Sequence, residues 1–185
     1  VAERENPTLE DGALLLARMH TPAFDTATII AALDSFAEDL RPAIEVAAGA
    51  ADRLDAFLKG VDVKLGFRGD KEDYSNYDNN FVHTVIERRR GIPVSIITLY
   101  VLLGRRLGMD FHAVGAPRKA LAWYRDGAYS TYIDAFESGQ LMTREDCITL
   151  LRGQGMSASA NVDQYLPLLT DRGILERMTQ NLVRS

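Results

Sequence analysis

Apolar residues recur along the first third of the chain at helical spacing. Thr8 followed three residues later by Asp11 forms an N-cap signal ahead of "GALLLARM", and Asp25 caps a second helix with Ile29, Ile30, Leu33, Phe36, Ala37 and Leu40 on one stripe. Pro42 is expected to close that helix. A third stripe runs through Ile44, Ala47, Ala51, Leu54 and Leu58 and ends near Gly60. The stretch "GFRGDKEDYSNYDNN" carries no period and reads as a loop long enough to have a role. Phe81, Val82, Val85, Ile86 and Arg89 resume helical spacing, which leaves His83, Glu87 and Arg90 on the opposite, solvated face. After Gly91 and Pro93, "VSIITLYVLLGRRLG" is apolar on nearly every side, a helix for the centre of the fold, ended by Gly108.

From Phe111 the period changes to two. "KALAWYRDGAYSTYID" holds Asp126-Gly127 between alternating segments, a hairpin signal. With those two residues as the turn, Arg125 faces Ala128 and Lys119 stands opposite Asp134. Trp123 and Tyr124 then point to opposite faces, one core and the other open. Thr143 with Asp146 caps a helix through Ile148 and Leu151, "GQGMSASAN" reads as a mobile loop, and Asp171 caps a last helix striped by Ile174, Leu175, Met178 and Leu182. An exposed stripe there would pair the chain with another copy. No internal repeat interrupts this order, so one domain is expected over 1–185: a helical part at 1–66, a core helix and hairpin at 67–140, and helices at 141–185.

Composition narrows the function. The 185 residues are 46% hydrophobic, enough for a full core, and 21 basic against 26 acidic residues give a net charge of −5. No large positive field exists to attract a polyphosphate backbone, so nucleic acid is not an expected partner. The longest apolar runs fall short of a membrane span, and the first residues are acidic rather than leader-like. One cysteine, Cys147, and three scattered histidines supply no disulfide and no metal-ligand spacing, so neither metal nor cofactor is expected and a reducing, cytoplasmic setting fits. His20 ends a helix, where positive charge is favourable, and His112 precedes Val114 on a strand; both read as structural. Cys147 beside Ile148 reads as a half-buried thiol. Arg88, Arg89, Arg90, Arg105 and Arg106 read as capping and solvating charges, with a phosphate or acidic-partner patch as the other option.

The string "NNFVHTVIERRRGIPVSIITLYVLLGRRLGM", with "LGFRGDKEDY" before it and "VGAPRKALAWY", "YIDAF" and "ILERMTQNLV" after it, resembles the bacterial SirB-type branch of the transglutaminase-like superfamily, often followed by tetratricopeptide repeats. The resemblance implies an α+β, papain-like core: N-terminal helices, a central buried helix packed on a small antiparallel sheet, and C-terminal helices. Active members of the wider superfamily open the central helix with a cysteine and place a histidine and an aspartate on successive strands. A thiolate is stabilised by the helix N-terminus and an adjacent imidazolium, which the carboxylate orients. Here the cysteine slot falls at Ser95, the histidine slot at Lys119, with Arg118 replacing a glycine, and the aspartate slot at Asp134.

A serine and lysine pair could act as a hydrolase or acyltransferase with Ser95 as nucleophile, but that lysine must shed its proton near neutral pH in an apolar pocket. A carboxylate directly opposite opposes this, and a cross-strand ion pair worth roughly 0.2 to 1 kcal/mol is the simpler expectation. The reading is a degenerate triad, Ser95, Lys119 and Asp134, in a non-catalytic protein-binding or regulatory module. Its docking groove is expected to be lined by Tyr74, Tyr77, Asn79, Asn80, Arg118 and Trp123.

Overall fold

A computed structural model describes residues 8–156 and 162–184. The expected loop at 153–161 therefore lies partly outside the described residues. The helices are α1 (Leu9–His20), α2 (Thr26–Glu45), α3 (Ala50–Lys59), α4 (Val82–Arg88), α5 (Pro93–Leu107), α6 (Arg144–Gly153) and α7 (Asp171–Arg184). The strands are β1 (Arg68–Gly69), β2 (Arg90–Gly91), β3 (Asp110–Val114), β4 (Leu121–Asp126), β5 (Tyr129–Asp134) and β6 (Gln140–Met142). β3 to β6 form an antiparallel sheet in sequential order, while β1 and β2 make a separate short parallel pair. This is a mixed helix and sheet fold of the α+β kind.

The helix starts follow from local chemistry. Thr8 and Asp11 close a reciprocal capping box on α1, Thr143 and Asp146 do the same on α6, and Asp25 accepts from the N–H of Ala27 at 3.0 Å. Pro42 does not end α2, which continues to Glu45. Glu38 and Pro42 are both exposed, so the carbonyl that loses its N–H partner is open to water, and Ile44 anchors the last turn in the core. Ile44 thus belongs to α2 rather than α3, which starts at Ala50 and runs into a π-helical turn at Gly60–Lys64.

Every residue of α5 from Val94 to Gly104 is buried. It lies on one face of the sheet, against Phe111, Ala113, Ala122, Tyr124 and Ile133, and the helices α1, α2 and α7 pack around it. The alternating positions of the same strands, Val114, Leu121, Trp123 and Tyr132, face a second cluster with Cys147, Ile148, Leu151, Val162 and Leu166. Trp123 is therefore half-buried under α6 instead of open. At about 1.5 to 3 kcal/mol for each large apolar side chain, the two-sided burial is what fixes the sheet.

The hairpin turn is one residue later than expected. Asp126 pairs with Tyr129 across Gly127-Ala128, and Gly127 takes φ +59° at the first turn position, the place a primed turn reserves for glycine. Asp126 is drawn into the ladder by Arg53 and by the Tyr124 hydroxyl, which donates to it at 3.1 Å. Each facing pair shifts by two, which preserves the inward and outward sides and changes only who stands opposite whom.

Asp171 does not cap its own helix. Thr170 does, its hydroxyl accepting from Gly173 N–H at 3.2 Å, while the Asp171 carboxylate accepts from Leu9 N–H at 2.8 Å and pairs with Arg105. Ile174 and Met178 are buried against α1 and α5, and Leu175 packs over Gly12. The apolar stripe of α7 is thus used inside the fold.

Candidate functional site

Ser95 is the third residue of α5 and is fully buried (0%). Its hydroxyl donates to the carbonyl of Asn79 at 2.7 Å, also lies 3.0 Å from the Ile92 carbonyl, and accepts from the Ile92 N–H at 3.1 Å. Ile92 has no side-chain acceptor, so this is the half of a capping box that Ser95 alone can make. Gly91 permits it: a Cβ there would fall 2.6 Å from the Ser95 oxygen. The hydroxyl is a structural fastener between α5 and the preceding turn. Ser95→Ala is expected to cost about 2 kcal/mol, read as a lower urea midpoint, because it strands the Ile92 N–H and the Asn79 carbonyl without replacing them.

Lys119 and Asp134 meet, as their types suggested, but by another route. Under the observed register Asp134 stands beside Leu121, and Lys119 precedes β4 in a turn where Arg118 holds φ +57°. The flexible lysine stem carries its ammonium back to the carboxylate. Asp134 is almost wholly buried, its side chain 4% exposed against 26% for Lys119, and its second oxygen accepts from Glu137 N–H at 3.3 Å. Neither partner hydrogen-bonds Ser95. Three slots that a working triad would connect are here an ion pair and a separate, satisfied hydroxyl.

The remaining predicted site residues divide. Asn79 and Asn80 are buried, so neither lines a groove. Asn79 instead joins a network invisible in the sequence: its amide donates to Asp70 at 3.1 Å and to the Asp73 carbonyl at 2.8 Å, and its carbonyl oxygen accepts from Arg88 at 3.0 Å. Tyr74 is exposed and edge-on to Phe136 at 5.6 Å; Tyr77 is exposed and contacts Phe81; Arg118 is exposed. Tyr74 and Phe136 thus make one aromatic contact at the surface, in which Trp123, on the second cluster, takes no part.

The arginines are spoken for. Arg89 sits between the rings of Phe36 and Phe67, 4.5 Å from each centroid, Arg105 pairs with Asp171, and Arg106 with Glu10 and Asp34. Cys147 is buried, and that burial, with Asp146 beside it, pushes its thiol up to about 11, far from a nucleophile's range. His112 bonds Asp110 at 2.8 Å on β3. His83 is not solvated: it is 6% exposed and touches His20.

A cavity of about 530 Å³ lies between β3, the end of α5 and the start of α7, lined by Val101, Phe111, His112, Leu169, Thr170 and Ile174 among others. Two of about 250 Å³ lie beside the hairpin turn and beside α3. None of these three reaches Ser95, Lys119 or Asp134. Among the described residues no group of three or more His, Cys, Asp or Glu side chains could hold a metal ion, and no helix is long and apolar enough to cross a membrane.

A family model described as the transglutaminase-like superfamily matches residues 27–180. The chain belongs to that superfamily. This transglutaminase-like domain is 33% identical over 138 residues to F-box only protein 21 of Homo sapiens, covering 70% of the chain and 21% of that protein. It is 30% identical over 128 residues to a UPF0162 protein of Vibrio cholerae, covering 68% of the chain and 46% of the relative. To a UPF0162 protein of Xylella fastidiosa it is 27% identical over 181 residues, covering 96% and 64%. The domain thus spans about a fifth of the F-box only protein and less than two thirds of the bacterial relatives. No solved structure matches it.

Proposed function

We propose that this transglutaminase-like domain, of the SirB-type branch, is a cytoplasmic non-catalytic module that binds or regulates a protein partner. The observation that carries the reading is the commitment of all three triad slots. The Ser95 hydroxyl is buried and bonded to backbone, and the Lys119 ammonium is held by a buried carboxylate. A lysine base needs a charge-poor pocket to lose its proton, and an opposite charge at contact distance favours the protonated form. A serine at the start of a helix gains little from the dipole, because an alcohol's pKa lies far above a thiol's. Architecture inherited from an enzyme family confers no activity without the site.

Exposed Tyr74, edge-on to half-buried Phe136, and exposed Arg118 support binding, since aromatic and arginine side chains are the residue types that anchor partners. The test is chemical. Incubation with a fluorophosphonate and, separately, with iodoacetamide at pH 7.5, followed by intact mass and peptide mapping, is expected to leave Ser95 and Cys147 unmodified in the folded protein. Stoichiometric phosphonylation of Ser95 would overturn the proposal in favour of a Ser95 hydrolase.

A further inference from the structure

Two histidines distant in sequence share one contact. His20 ends α1 and His83 lies on α4, and Nδ1 of His20 is 3.3 Å from Nε2 of His83. Nε2 of His20 faces Asp78 of the 3₁₀ turn Tyr77–Asn80 at 3.4 Å, and Thr21 Oγ1 lies 3.2 Å from His20 Nδ1. Phe81 stacks on His20 with centroids 4.1 Å apart, and Phe24 closes over His83 at 4.8 Å. The remaining ring nitrogen, Nδ1 of His83, is buried without a hydrogen-bond partner among the described residues.

These contacts select one proton arrangement. The Asp78 carboxylate accepts only, so His20 carries its proton on Nε2 and presents Nδ1 as an acceptor. His83 must then donate from Nε2, and its orphaned Nδ1 holds a lone pair. An N–H at that buried position would be a stranded donor, which is the costlier choice. Adding a proton to either ring destroys this arrangement. Protonating His20 puts an N–H on its Nδ1, so the Nε2–H of His83 loses its acceptor even where Thr21 Oγ1 takes the new proton's bond; a protonated His83 puts a donor and a charge at the orphaned nitrogen directly. A metal ion between the rings would make the same demand on His83 Nδ1, which argues against metal and for a proton.

We propose that the His20–His83–Asp78 cluster is a proton-operated latch that holds the Tyr77–Asn80 turn and α4 on the end of α1 and releases them on acidification. The titratable groups acting on His83 are His20 from α1, Asp78 from the turn and Glu87 from its own helix. Burial, then the neighbouring His20, lowers the His83 pKa, and the two carboxylates oppose without reversing this. A depressed value means that the latch contributes fully above the unfolded histidine value near 6.5, and that its contribution is lost as pH falls through the folded value. Release reaches further than the rings, because the turn also supplies the Asn79 carbonyl on which Ser95 is fastened.

The experiment follows both rings and backbone in the intact chain. Long-range ¹⁵N NMR should show His20 protonated on Nε2 and His83 on Nε2 at pH 7.5. Between pH 7.5 and 5.5, amide exchange in residues 77–85, corrected for its intrinsic pH dependence, should quicken by up to about tenfold, the ceiling set by an unfolded histidine value near 6.5. His83→Gln should abolish that pH dependence, because it removes the buried ring that titrates and its amide can either donate to or accept from His20 Nδ1. Retention of the Nε2 form of His83 down to pH 5 with unchanged protection would overturn the latch, as would the same acid-induced opening in His83→Gln. The wild-type measurement stands by itself should the variant fold poorly.

Discussion

Lys119→Met is expected to lower the unfolding free energy by about 3 kcal/mol at neutral pH, measured from urea titrations. The side chain removed is only partly buried, and a surface ion pair of the cross-strand kind would cost less than about 1 kcal/mol. The partner decides the magnitude. Asp134 is buried and keeps, after the substitution, the N–H of Glu137, so the variant leaves a carboxylate in the interior without its counter-charge. The double variant Lys119→Met, Asp134→Asn should recover more than half of the loss, because the neutral amide still accepts from Glu137 without burying charge. A neutral effect of Lys119→Met would show that the pair is dispensable, and with it would go the main support for reading the histidine slot as structural.

That pair also shows how far the sequence carries. The identities of Lys119 and Asp134 implied an ion pair, and one is present, yet the ladder on which the expectation was built is shifted. Asp126-Gly127 is a strong turn signal, but only Gly127 needs a positive φ, and Asp126 has partners in Arg53 and Tyr124 that sequence cannot reveal. Because the shift is even, alternation survived, and Ala122, Tyr124 and Ile133 face α5 as the period of two required.

Local signals read well for the same reason that capping is local: Thr8 with Asp11 and Thr143 with Asp146 complete their boxes within four residues. What failed was non-local. His83 falls opposite the apolar stripe of α4 and looked solvated, but its partner is 63 positions away. The two-residue parallel pair of β1 with β2 has no period to detect. Pro42 obeyed the rule that it removes a hydrogen bond and broke the inference that the helix must therefore stop, since Ile44 still gains from burial beyond it.

The second large effect belongs to Asp70, a residue with no sequence signature. Its carboxylate accepts from Asp73 N–H at 2.9 Å and from the Asn79 amide at 3.1 Å and lies 3.4 Å from an Arg88 nitrogen, linking β1 to the turn and to α4. Burial works to raise its pKa, but the Asp73 N–H, the Asn79 amide and the Arg88 charge outweigh it and hold the carboxyl below its ordinary value of 3.8. A depressed carboxylate stabilises the fold above the unfolded value, near pH 4, and that contribution disappears as pH falls through the folded value. Asp70→Ala should therefore cost about 3 kcal/mol at pH 7, since Asn79 and Arg88 both lose a buried acceptor, and less at pH 2.5, below the unfolded value, where the contribution of a depressed carboxylate is already falling away. Paired urea titrations at the two pH values measure the difference. An equal loss at both would mean that Asp70 acts through packing and not through its charge. The same variant removes one of the hydrogen bonds that hold the Asn79 side chain, so the Ser95 hydroxyl, fastened to the Asn79 backbone carbonyl, serves as a reporter of a carboxylate 25 residues earlier in the chain.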